Sequence, residues 1–253
     1  MRAIVTHFDG DPYLLSYWLS LYSKYWADEV DRVYMTICHN DQVLNDETTQ
    51  FTKAIVAKYP KVQAHYMKST MSPEQGNQYL LQYVTEDHIG LIESDGFIFE
   101  KGLVDRMFKH LEQGFDVVCP EWKLITDSWF MKSYDYQGFM RCFFFVKKAI
   151  LDKTDLDFTP HSVLPTHLIP NTDKEFGTSF DLDCFGWLSV QIMTQKPAIK
   201  IVPANVLTPD NILNPETFSE YKWCHVRQLS SSALGFGTNE FQTWKNDQDS
   251  LIS

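Results

Sequence analysis

The amino-acid sequence predicts an α/β protein with a mostly parallel central sheet flanked by helices. Three patterns predict it. Short β-branched or aromatic runs alternate with amphipathic segments of helical length through residues 1–119. Two of those segments open with a side-chain acceptor followed by proline, Asp11-Pro12 and Ser72-Pro73, which is a helix-start signature. Polar clusters follow several of the short runs, where a parallel sheet presents the carboxyl ends of its strands.

Taken in order, residues 3–6 (AIVT) form a strand ended by Phe8-Asp9-Gly10-Asp11-Pro12. Leu14, Leu15, Trp18, Leu19, Tyr22 and Trp26 then recur at helical spacing and give one apolar face. Residues 30–38 (VDRVYMTIC) are a second strand, and 46–59 a second helix stopped by Pro60. The alternating run 62–67 is a third strand, followed by a helix from Ser72-Pro73-Glu74-Gln75 to 84. Residues 89–92 (IGLI) are a short apolar strand that runs straight into Glu93-Ser94-Asp95-Gly96. A helix over 101–113 and a strand over 115–119 follow. Beyond Pro120 the regularity fades. Residues 121–138 are aromatic and loop-like, 141–146 (RCFFFV) a strand, and 159–172 punctuated by prolines. Residues 180–194 are helical, 199–202 a strand, and the tail from Pro203 irregular. No internal repeat or low-complexity linker divides the chain, so a single domain over 1–253 is expected.

Hydrophobic residues make up 44% of the chain and aromatics 15%, which excludes intrinsic disorder and implies an aromatic-rich core. A net charge of −11 argues against a general electrostatic grip on nucleic acid or anionic membrane, and suits a site that holds a divalent cation. The five cysteines are odd in number and form no C-x-x-C pair, so neither a disulfide framework nor a zinc site is expected. The chain enters a strand at once and has no apolar run of membrane-spanning length. A soluble, cytoplasmic protein without a membrane partner is the expectation.

The strongest local signal is Glu93-Ser94-Asp95-Gly96. Two carboxylates at spacing two, at the end of a buried strand, raise each other's pKa and cost stability. A divalent cation, Mg²⁺ or Mn²⁺, relieves that cost through oxygen ligands. Gly96 lets the backbone approach a ligand closely. The residues alone leave a second reading open, in which the acidic turn caps the helix that follows. Residues 6–9, 38–41 and 93–96 all fall at predicted strand ends, which favours a site.

The order strand, helix, strand, helix, strand, helix, apolar strand, acid-x-Asp resembles the GT-A glycosyltransferases, particularly the large family-2-like group. The resemblance covers most of the chain and rests on organisation and short motifs. It implies the GT-A (nucleotide-diphospho-sugar transferase) fold, with a donor half over 1–119 and an acceptor half with a C-terminal closing loop over 120–253. It implies a nucleotide-diphosphate sugar as donor, a UDP-sugar favoured, and a divalent metal, Mn²⁺ or Mg²⁺, bridging the two phosphates. Asp95 is then the direct metal or phosphate contact and Glu93 the sugar or ribose contact, although the family has Asp where this chain has Glu93. Phe180-Asp181-Leu182-Asp183 is similar to the family's acidic pair that opens a helix. It makes Asp181 the general base and Asp183 the second choice, with Phe180 standing where the family has Glu; helix capping by Asp181 stays open. In Trp223-Cys224-His225-Val226-Arg227, His225 matches the late metal-ligating His and Arg227 a diphosphate contact. Thr6, Phe8 and Asp9 would line base and ribose, and Asn40 and Asp41 would bond the base.

Trp122, Trp129, Tyr134 and Tyr136 fall in the segment expected to hold an acceptor, by stacking or as an aromatic mini-core under a loop. The acceptor is expected to be a glycan or other hydroxyl compound. Lys123, Lys132, Arg141, Lys147 and Lys148 make this region locally basic, so hydroxymethylated pyrimidines in modified DNA, the substrate of phage-type DNA glycosyltransferases, are an alternative acceptor. A non-catalytic sugar- or nucleotide-binding module is the other alternative. Sugar nucleotidyl transfer is disfavoured because the loop after the first strand is acidic where that class carries a Gly-rich, basic one.

Overall fold

The computed structural model describes residues 1–9, 12–38, 46–67, 71–94, 96–120, 143–156, 188, 191–192, 194–202 and 223–225. In chain order the elements are β1 (Arg2–Asp9), α1 (Pro12–Leu21), a π-helical turn (Tyr22–Trp26), a 3₁₀ turn (Ala27–Glu29), β2 (Arg32–Cys38), α2 (Asp46–Val56), β3 (Val62–Tyr66) and α3 (Pro73–Leu81). They continue with β4 (His88–Ile92), β5 (Gly96–Ile98), α4 (Leu103–Glu112), β6 (Val117–Pro120), β7 (Phe143–Lys147), α5 (Lys148–Leu151), β8 (Ile199–Val202) and β9 (Trp223–His225). Among the described residues seven strands make one sheet in the order β3-β2-β1-β4-β7-β6-β8. β1 is parallel to β2 and β4, β2 to β3, and β6 to β8. β7 runs against both of its neighbours, β4 and β6. The central sheet is therefore mostly parallel and flanked by helices.

Its strands are apolar along their length because both faces are covered. Val33 to Cys38, Ile89 to Ile92 and Phe143 to Val146 are buried without interruption. On one face Ile4, Phe8, Met35, Ile92 and Phe145 pack with Leu14, Trp18 and Phe108 from α1 and α4. On the other, Ala3, Val5, Tyr34, Leu91 and Phe144 pack with Leu80 and Leu81 of α3 and with Leu188 and Ile192. Much of the aromatic content is in the first layer. Trp18 meets Phe8 edge-on at 5.6 Å and Trp26 at 5.1 Å, and Phe108 meets Phe145 at 4.9 Å.

Local chemistry sets the helix ends. Ser72 and Gln75 form a reciprocal capping box with Pro73 in the first turn of α3, as the sequence signature requires. α4 buries Leu103, Val104, Met107, Phe108 and Leu111 along one stripe. Its amino end is capped from a distance: the Glu29 carboxylate accepts from the Gly102 and Asp105 amides. Arg2 adds ion pairs to Asp105 and Glu112, both at 2.8 Å.

The structure departs from the sequence expectation at several elements. β1 reaches Asp9, beyond the short run at 3–6, because pairing with β2 continues through Asp9 and Cys38. The helix expected to run through Trp26 widens into a π turn from Tyr22. Strands β5 and β9 and the short α5 were not expected, β9 falling at Trp223–His225 where the sequence reads as irregular.

Gly90 of β4 lies where strand packing leaves no room for a side chain. A Cβ there would sit 2.5 Å from Ile4 Cδ1 and 2.7 Å from Phe145 Cε1. Gly90→Ala is expected to destabilise the fold by about 1–3 kcal/mol through overpacking. The urea midpoint at constant slope checks this; an unchanged midpoint would contradict the packing described.

Candidate active site

The strand order turns back at β1. The chain moves outward from β1 to β2 and β3, then returns to place β4 on β1's other side. Such a reversal opens a crevice at the carboxyl ends of the two central strands, where ligands of open α/β sheets bind. β1 ends at Asp9 and β4 at Ile92, so Asp9 and the Glu93 turn stand at this crevice from opposite sides.

The turn itself is closely held. The Gly96 amide donates to the Glu93 carbonyl at 2.9 Å, closing residues 93–96 into a tight turn. Glu93 is half-buried, and Ser94 is buried. The chain then enters β5, which pairs antiparallel with β9: Gly96 stands opposite His225, Phe97 opposite Cys224 and Ile98 opposite Trp223. From the α1 side the Trp18 indole N–H donates to the Gly96 carbonyl at 3.1 Å, and Tyr17 packs on Phe97 with ring centroids 5.7 Å apart. The turn does not lead directly into a helix. A strand follows it, and the helix after that strand takes its cap from Glu29.

On the opposite face of β1, His7 is buried beneath α3. Its Nδ1 is hydrogen-bonded to Thr36 Oγ1 at 2.8 Å, its Nε2 lies 3.7 Å from Cys38 Sγ, and the ring also bonds the Met71 backbone. α3 approaches this pair so closely that a Cβ on Gly76 would fall 2.1 Å from His7 Nδ1 and 2.8 Å from Thr36 Oγ1. Burial, partly offset by the Met71 bond, lowers the His7 pKa to about 4, so the ring is neutral at physiological pH. Sequence reasoning assigned His7 no role; the signal available was a glycine inside a helical pattern, Gly76, marking a close approach.

Of the residues expected to line base and ribose, Thr6 and Phe8 have side chains inside the core layer under α1, at 0% and 2% exposure. Strand alternation turns positions 6 and 8 to that face, and there the Phe8 ring packs on Trp18. Asp9 is at the strand end, its side chain outside the described set. Asn40, Asp41, Asp95, Trp122, Trp129, Tyr134, Tyr136, Asp181, Asp183 and Arg227 also lie outside the described residues, as does the side chain of His225. What the structure brings together is the Glu93–Gly96 turn and the backbone of His225, 129 positions on from Gly96 in sequence. Among the described residues no group of three or more His, Cys, Asp or Glu side chains forms a metal cluster. Of the described side chains in this turn, the half-buried Glu93 carboxylate is an oxygen donor of the kind a hard divalent cation takes. Cys38 and Cys119 are buried, and burial pushes the Cys119 thiol up to about 12, consistent with small core side chains.

No protein-family model matches the sequence, and no curated protein matches it. Solved structures are similar in fold. Mannosyltransferase PcManGT from Pyrobaculum calidifontis, solved with GDP-Man and Mn²⁺, superposes with a TM-score of 0.53 at 11% identity, over 80% of this chain and 54% of that one. Glucosyl-3-phosphoglycerate synthase from Mycobacterium tuberculosis, in complex with Mn²⁺, UDP and phosphoglyceric acid, gives 0.52 at 11% identity, over 86% and 74%. TarS from S. aureus gives 0.51 at 11% identity, over 79% and 57%. The chain thus spans about half the length of the mannosyltransferase. It has the GT-A fold of nucleotide-diphospho-sugar transferases. No described helix is long and apolar enough to cross a membrane.

The His7 environment makes stability pH-dependent with a definite sign. In the unfolded chain the imidazole takes up a proton below about 6.5, and in the folded chain only below about 4. The stabilisation is complete above the first value and is lost as pH falls towards the second, amounting to roughly 3 kcal/mol. Urea unfolding of the wild type at pH 7 and pH 5 should show a marked loss on acidification. His7→Gln, which removes the titrating group, should show a smaller one; equal losses would contradict this placement of His7.

Proposed function

We propose that the chain is a divalent-metal-dependent glycosyltransferase that moves a sugar from a nucleotide-diphosphate donor, a UDP-sugar favoured, to an acceptor hydroxyl. The observation that carries this reading is the acidic turn at 93–96. It stands between β4 and β5 at the switch point of a GT-A sheet, with β9 paired to β5 beside it.

In this reading the chain is one domain, with a donor half over 1–119 and an acceptor half over 120–253. Asp95, with His225, would hold the cation; Glu93 orients the sugar or ribose, and Arg227 meets the diphosphate. A Mn²⁺ or Mg²⁺ ion, when bound, supplies positive charge against the diphosphate as it leaves. Asp9, Asn40 and Asp41 line the nucleoside pocket at the ends of β1 and β2. Asp181, with Asp183 as the second choice, takes the proton from the acceptor hydroxyl. The hydroxyl oxygen bonds to the anomeric carbon while that carbon's bond to the diphosphate oxygen breaks, which inverts the anomeric configuration. Trp122, Trp129, Tyr134 and Tyr136 offer faces on which a glycan or other hydroxyl acceptor stacks.

Thermal unfolding against a panel of nucleoside diphosphates, with and without Mn²⁺, tests the donor site. A ligand at a hundredfold excess over its Kd stabilises the native state by about 2.7 kcal/mol. A Mn²⁺-dependent rise in Tm with one nucleotide, abolished in Asp95→Ala, is expected, together with loss of sugar transfer in that variant. No rise with any nucleotide, or near-normal transfer by Asp95→Ala, would overturn the reading. Nucleotide binding without hydrolysis or transfer would instead mark a binding module.

A further inference from the structure

We propose that Trp18 is a positioning residue for the acidic turn: its indole N–H, bonded to the Gly96 carbonyl, holds the turn in the geometry that receives the cation and diphosphate. The inference rests on the donor-site reading above and adds to it a residue outside every motif that led there.

Trp18 is 2% exposed, and its surroundings leave the ring one place to go. Phe8 and Trp26 meet it edge-on at 5.6 and 5.1 Å, and Tyr22 stacks on it at 6.4 Å. A ring wedged in this way presents its polar edge in one direction, and that edge reaches Gly96 at 3.1 Å. Gly96 is held on its other side by its amide bond to the Glu93 carbonyl and stands in register with His225. One residue therefore joins the turn that starts at Glu93, the strand that carries His225, and the core of α1. Core packing alone does not call for a tryptophan here, because a phenylalanine would supply an apolar ring. The indole N–H is the part that packing leaves unexplained, and a buried N–H finds a partner where one is built for it. Among the described residues β5 and its partner β9 are three residues each, a ribbon too short to be rigid alone. Anchorage from α1 compensates for that.

Trp18→Phe keeps a ring and removes the bond. Trp26→Phe trims the same aromatic cluster without touching Gly96 and serves as the control. Two readouts are taken on the full chain: amide hydrogen exchange of peptides spanning 93–98, and the affinity for UDP titrated calorimetrically with and without Mn²⁺. Trp18→Phe is expected to exchange faster over 93–98 than the control, and to bind Mn²⁺–UDP about tenfold more weakly, the usual effect of losing one buried hydrogen bond. Metal-free UDP binding should change little. A Trp18→Phe protein that binds Mn²⁺–UDP like the wild type overturns the positioning role and leaves the donor site standing. Equal weakening in Trp26→Phe also overturns it, because general loosening of the cluster would then suffice. A wild type that binds no nucleoside diphosphate with Mn²⁺ overturns the donor-site reading itself, and Trp18's role with it. Should Trp18→Phe fail to fold, Trp18→His, which keeps a ring N–H in a smaller frame, takes its place. Native-like exchange over 93–98 and near-wild-type Mn²⁺–UDP affinity in Trp18→His, where Trp18→Leu exchanges faster and binds about tenfold more weakly, supports the bond; equal affinity in those two variants refutes it.

Discussion

The structure is organised around β1, a strand buried on both faces and paired on both edges. Ala3 and Val5 face one core layer and Ile4 and Phe8 the other, so the strand cannot shift by one residue without exchanging its two cores. Its neighbours, β2 and β4, are reached by chain paths that leave in opposite directions, and this reversal opens the crevice. Asp9 and the turn that begins at Glu93 stand at the carboxyl edge of those strands. The opposite edge is tied down by a different set of contacts: Arg2 to Asp105 and Glu112, Glu29 to the start of α4, and Tyr34 and Arg32 to the buried Glu86. Stabilising ion pairs gather at one edge and candidate chemistry at the other.

At the functional edge the buried polar groups are arranged with little slack. His7 is kept neutral by burial and is bonded to Thr36, with the α3 backbone brought against both by a glycine. Across the sheet, Trp18 grips Gly96. The two faces of the sheet thus each supply a helix, α3 and α1, that locks the strand ends near the crevice. Carboxylates at the end of a buried strand are costly by themselves. A cation at the Glu93–Gly96 turn would offset that cost, while the surrounding shell holds the turn in shape.

Much of the sheet was legible in the sequence because its signals are local. Apolar runs bounded by turns mark β2, β4 and β7, and the cap-then-proline pairs mark α1 and α3. What escaped was non-local. A three-residue strand such as β9 carries no periodicity, and its pairing with β5 joins segments that are far apart in sequence. The cap of α4 escaped for the same reason, since Glu29 lies 73 residues before Gly102. At the site, the acidic turn was visible as two carboxylates after an apolar strand. The burial of Thr6 and Phe8 was not, because a residue's place on a two-faced strand depends on which helix covers each side. Trp18 reads as an ordinary member of an apolar helix face and His7 belongs to no motif, and their hydrogen bonds to Gly96 and Thr36 exist only once the layers are assembled.

The central claim is that the turn at Glu93–Gly96 and the strand at Trp223–His225 together form a divalent-cation and diphosphate site. Crystals grown with UDP and Mn²⁺ and measured at the manganese absorption edge test it most directly. The account predicts one strong anomalous peak between the turn and His225, in contact with the diphosphate. A peak elsewhere in the molecule, or UDP bound at this edge with no manganese beside it, would contradict the claim.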